Sequence, residues 1–185
     1  MRKVVIVPNI WGTNQKFVKL GNDLKEKGLN VFVFDNLSSK MAAGGWSELI
    51  EAFNDYHRQQ TEKNKELYYI TEGWSLVPVL EAAESARLSG IFSLQPIIFK
   101  NKQNKRTLWP ENTPEPGHLL ERTEAPIDFF MAEKYFDNDH RKTIKHLSAM
   151  ARPNISVKVY ETSSVYDDVC LEDIKNLILY RMGIR

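Results

Sequence analysis

Cysteine is nearly missing: Cys170 stands alone in 185 residues, which excludes an internal disulfide framework and fits a reducing compartment. No apolar run approaches the ~20 residues that cross a bilayer, and the chain opens directly on a strand-like run at 3–7 with no long apolar leader before Pro8. Charge in excess of either sign is also lacking. The formal net charge of +1 gives no reason to expect nucleic acid or an anionic membrane as a partner. No glycine-rich phosphate loop occurs, since Gly44-Gly45 is isolated and lacks the following lysine. No His/Cys set has zinc spacing, so neither a metal nor a cofactor is expected. What these absences leave is a globular, cytoplasmic protein, with hydrophobic residues at 42% sufficient for a full core.

What is present is an alternation. Runs at 3–7, 30–34, 67–70, 91–99, 125–132 and 155–160 are β-branched or aromatic enough for buried strands, the fourth cut short by Gln95-Pro96. Between and after them, helical spacing of apolar residues marks 15–27, 46–62, 75–85, 140–151 and 171–181. Gly28 closes the first helix, and Asp139 is placed to cap the fourth. The stretch 38–45 reads as a small-residue loop. This order predicts an α/β protein, a doubly wound and mostly parallel sheet with helices on both faces. One segment breaks the rhythm. Lys100, Lys102, Lys105 and Arg106 form a basic cluster, followed by prolines around Trp109 and His118. It reads either as a surface excursion with solvated lysines, or as a lid or a contact patch for an acidic carrier protein. The expectation is one domain over 1–185 with a short lid-like excursion at 100–124.

The stretch 67–80 holds the candidate chemistry. An apolar strand gives way to Glu72-Gly73, a serine follows two residues later, and a helix begins. That is the layout of a nucleophile elbow, where a sharp strand-to-helix turn lifts a serine hydroxyl clear of the sheet. Ser75 is then the candidate nucleophile, the backbone N–H of Leu76 one oxyanion donor, and the loop 10–12, with Trp11, the source of a second. Val77 stands where a second glycine is usual. Trp11 and Trp74 flank the corner and are candidate walls for an acyl group. A serine also needs a base. His57 and His146 fall in predicted helices, which leaves His118 and His140, each otherwise an ordinary surface histidine.

The order of elements, the Gly73-Trp74-Ser75 corner and the Trp11-Gly12 loop resemble a small α/β-hydrolase with a minimal cap, over nearly the whole chain. Within that superfamily, Trp11-Gly12 together with Gly73-Trp74-Ser75-Leu76 is similar to the pimeloyl-carrier-protein methyl esterases. Their loop reads His-Gly-Trp-Gly where this chain has Asn9-Ile10-Trp11-Gly12. The length is similar to that of compact serine hydrolases. The resemblance implies a catalytic acid after the penultimate strand, with Asp137 nearest and Asp139 and Glu133 behind it. It also implies a histidine after the last strand, but the loop 161–168 has none, and Ser163 or Ser164 stands there. Three functions follow from this pattern. The first is a serine-dependent esterase or thioesterase acting on a small acyl substrate, free or on an acidic carrier. The second is a relative that has lost catalysis and binds a ligand or serves as an assembly subunit. The third is an acyl transferase, lyase or cyclase using a different proton acceptor.

Overall fold

Six β-branched and aromatic runs become the six strands of one sheet, all parallel, in a computed structural model that describes residues 2–9, 14–35, 37–84, 88–99, 114, 116–135, 138–150 and 152–184. The strands are β1 (Arg2–Val7), β2 (Asn30–Val33), β3 (Glu66–Glu72), β4 (Gly90–Leu94), β5 (Ile127–Ala132) and β6 (Ile155–Tyr160), in the order β2-β1-β3-β4-β5-β6. The helices are α1 (Gln15–Glu26), α2 (Leu37–Lys63), α3 (Leu76–Ala83), α4 (Pro116–Arg122), α5 (Asn138–Ala149) and α6 (Asp168–Arg181). No helix among the described residues is long and apolar enough to cross a membrane.

Alternation along each strand sorts side chains into two layers. Val5, Val7, Leu67, Tyr69 and Phe129 pack with Leu49 and Phe53 of α2 and Val79 and Leu80 of α3. Val4, Ile6, Ile70, Phe92 and Phe130 pack with Phe17, Leu20 and Leu24 of α1 and Ile174 and Ile178 of α6. Complete burial of such a side chain contributes about 1.5–3 kcal/mol, so both faces of the sheet carry cores.

The doubly wound expectation holds, and the sheet is wholly parallel. Two local expectations change. The small-residue stretch 38–45 is helical up to Gly45, whose φ of 69° and ψ of −151° kink α2. The excursion at 100–124 contains the helix α4, whereas 100–113, with the basic cluster and Trp109, lie outside the described residues.

From β1 the chain moves outward to β2, then returns to place β3 on the other side of β1. The strand order therefore reverses between β1 and β3. In an open parallel sheet, loops diverge at the carboxyl ends of such a strand pair and leave a crevice there.

Candidate functional site

The chain turns out of the sheet at Gly73, two residues before the serine that the Gly-x-Ser pattern places at the corner. Thr71 and Glu72 are polar, yet both belong to the strand. The Thr71 hydroxyl donates to Ser93 Oγ at 2.9 Å across to β4. The chain then leaves the sheet at Gly73, whose φ is +58°. A side chain in that left-handed conformation costs about 1–2 kcal/mol, which explains a glycine here. Gly73–Ser75 form one 3-10 turn that leads into α3.

Ser75 consequently lies inside the turn. It is 0% exposed. Its hydroxyl sits 2.5 Å from the Val7 carbonyl and 3.0 Å from that of Glu72, and it accepts the Glu72 N–H at 2.9 Å. These bonds tie the end of β1 to the turn after β3. A hydroxyl so placed is a structural clip and is not lifted into a cleft. Leu76 opens α3 with a fully buried side chain, and its N–H is directed to the Trp74 carbonyl. By position, the residue after the corner is Trp74. Its ring is 1% exposed and meets Trp46 edge-on at 5.6 Å between centroids, so it belongs to the core and walls no acyl pocket.

The crevice at the switch point is a cleft of about 160 Å³. Asn9 lines it after β1, Glu72 and Gly73 after β3, and Gln95 and Ile97 after β4; Tyr135, His140, Thr143, Ser164 and Tyr166 complete the far wall. A Cβ built on Gly73 would stand 2.8 Å from Asn9 Nδ2 and 3.8 Å from Ile97 Cδ1. The Asn9 carboxamide thus fills the space that a nucleophile's side chain would need.

Polar groups crowd this end of the sheet. Glu72 Oε1 accepts the Tyr166 O–H at 2.6 Å. Burial raises the Glu72 pKa above the usual carboxylate value, and the bonds from Tyr166 and from the backbone N–H groups of Asn9 and Asn14 oppose that rise. Gln95, at φ +47°, accepts the Ala132 N–H at 2.9 Å through Oε1. Asn9 Oδ1, Glu72 Oε2 and Gln95 Nε2 are covered and have no hydrogen-bond partner among the described residues. Each such group costs about 1–3 kcal/mol, a burden that marks sites kept for something other than stability.

Of the residues singled out from the sequence, His140 reaches the cleft. It is buried, its Nε2 lies 3.0 Å from the Ala132 carbonyl, and its ring meets Tyr135 edge-on. Ser164, one of the two serines standing where the resemblance implies a histidine, also lines the cleft. His118 is exposed on α4 and takes no part in the lining. Glu133 is exposed beside a separate groove, and α5 starts at Asn138, which puts Asp139 inside the helix. Trp11 and Asp137 lie outside the described residues. The structure therefore brings His140 to the cleft but neither Ser75 nor His118. Gln95 and Tyr166 join the site without having been singled out, and Asn9 and Gly73, quoted from the sequence only as parts of motifs, line it as well. For Gly73 a signal existed, a glycine directly between a strand and a helix.

No protein-family model matches the sequence, and no curated protein matches it in sequence. Similarity appears in three dimensions. A protein of the alpha/beta hydrolase superfamily from Xanthomonas campestris pv. campestris superposes with a TM-score of 0.72 at 9% identity, covering 99% of both chains. The monoacylglycerol lipase of Paleococcus ferrophilus gives 0.68 at 9% identity, over 98% of this chain and 94% of that one. The ydeN gene product of B. subtilis gives 0.67 at 8% identity, over 99% and 100%. The chain has the α/β-hydrolase fold. At these identities the likeness is one of fold, and the chemistry has to be read from the site itself.

Proposed function

We propose that this protein keeps the α/β-hydrolase fold as a binding scaffold and takes a small polar ligand in the cleft beyond β1 and β3, without covalent serine catalysis. One observation carries this reading: the residue at the strand-to-helix corner is Gly73, with the Asn9 carboxamide 2.8 Å from where its Cβ would be. A serine-dependent esterase or thioesterase would need Ser75 to break from Val7 and Glu72 and leave complete burial. Each backbone group so stranded costs about 1–3 kcal/mol. The buried Cys170 agrees with a reducing, cytoplasmic setting.

The test is turnover of activated aryl esters and thioesters by wild type and Ser75→Ala, normalised to folded protein. Both are expected at the buffer background. Turnover well above background that Ser75→Ala removes would contradict the reading.

His140 and the Glu72 carboxyl line the same cleft, which favours a second reading, proton-transfer chemistry of the lyase type without a covalent intermediate. It predicts activity that survives Ser75→Ala and disappears in His140→Ala.

A further inference from the structure

Beside the cleft runs a second, open groove of about 580 Å³ lined by Glu133, Lys134, Arg141, Ile144 and Lys145. Lys134, Arg141 and Lys145 are exposed, and their side chains have no carboxylate or other hydrogen-bond partner among the described residues. Elsewhere on the surface Arg2, Lys158 and Arg181 each meet a carboxylate. Among the described residues, three cations stand against the one carboxylate of Glu133, an excess of two positive charges in the described lining.

The groove is also held in place. The turn carrying Glu133 and Lys134 is bonded to the end of β6, with Glu133 N–H donating to the Tyr160 carbonyl at 2.8 Å and Lys134 N–H to that of Thr162 at 2.9 Å. Arg141 and Lys145 are four residues apart on α5, so they share one face of the helix. The same helix presents His140 and Thr143 to the cleft, and Tyr135, next to Lys134, lines it too. Successive residues on a helix are separated by about 100°, which makes the groove and the cleft adjoining walls of α5.

We infer that the groove receives the phosphate group of the ligand whose polar part enters the cleft, making that ligand a small organic phosphate monoester. The inference rests on the binding reading of the cleft. The excess of two positive charges in the described lining matches a dianionic monoester better than a single carboxylate. The Arg141 fork suits phosphate oxygens bidentately, and the two lysines add point charges. The cleft, at about 160 Å³, admits only a small organic part.

The experiment is calorimetric titration with phenyl phosphate, inorganic phosphate and benzoate, on wild type, Arg141→Glu, Lys145→Glu and Ile97→Trp. The charge variants are on exposed positions, and Ile97 is 40% exposed at the cleft rim; circular dichroism checks that each remains folded. Wild type is expected to bind phenyl phosphate, weakening as salt rises, with benzoate at least about tenfold weaker. Each charge reversal is expected to weaken phenyl phosphate by roughly tenfold or more. Ile97→Trp should weaken phenyl phosphate while sparing inorganic phosphate.

Absence of phosphate binding overturns the inference, as does equal affinity in the charge variants. Insensitivity of phenyl phosphate to Ile97→Trp overturns the link between groove and cleft. Displacement of phenyl phosphate by far lower concentrations of polyglutamate or duplex DNA would make the occupant a macromolecule and overturn it too. Serine-dependent ester turnover would sink the binding reading alone, so the two failures are distinguishable.

Discussion

Gly73→Ala is the most informative single change, because the structure separates its cost into two parts. The first is backbone strain: alanine at φ +58° costs about 1–2 kcal/mol. The second is steric, since the new Cβ would lie 2.8 Å from Asn9 Nδ2 and 3.6 Å from Asn9 Cγ. The contact is with the end of a side chain that can turn aside, so this part sits at the low end of the about 1–3 kcal/mol that overpacking costs. The full substitution should therefore lose roughly 2–3 kcal/mol. In an Asn9→Ala background the carboxamide is gone and the backbone part alone remains, so the loss should fall to about 1–2 kcal/mol. The assay is urea unfolding of wild type, both single variants and the double variant, analysed as a cycle. A coupling of about 1 kcal/mol is expected. Additivity within about 0.3 kcal/mol would mean that Asn9 does not occupy the corner, and the account of the cleft would fall with it.

Ser75→Ala should act on stability, with a loss of about 2–4 kcal/mol by chemical denaturation, because the buried Val7 carbonyl and Glu72 N–H lose their partner. Cysteine labelling should report the burial of the turn: Ser75→Cys, at 0% exposure, stays protected from iodoacetamide until denaturant is added. His57 is buried on α2 with Nδ1 2.9 Å from the Tyr69 hydroxyl, and burial lowers its pKa from 6.5 to about 4. The folded value is the depressed one, so its contribution is fully present above about pH 6.5 and is lost as pH falls toward about 4. The loss is on the order of 3 kcal/mol at most. His57→Phe should flatten that part of the stability–pH curve; an unchanged slope would refute the assignment.

The layered architecture was readable because the chain obeys simple periodicities. Residues 3–7 and 155–160 became β1 and β6, and the apolar stripe of Phe17, Leu20 and Leu24 became the inner face of α1. Ser75 was singled out by its place two residues after Gly73, while the end of the strand itself was hidden from the apolar pattern for a physical reason. Apolar content marks the part of a strand packed between helices, yet β3 continues through Thr71, bonded across the sheet to Ser93, and Glu72, one of whose carboxylate oxygens is bonded by Tyr166 from beyond β6. A strand end supported by side-chain bonds from distant segments leaves no local pattern. The same holds for Asn9, whose role depends on a contact with Gly73, 64 residues away in sequence. His140 was nearer to view, since a helix starting just after the fifth strand of a parallel sheet begins at the edge where the cleft lies.

The central claim, that the corner carries no nucleophile, is tested most directly by treating the folded protein with a fluorophosphonate and measuring intact mass, followed by peptide mapping. The expected result is unmodified protein under conditions that fully label a serine esterase. A stoichiometric adduct mapped to Ser75 would contradict the account.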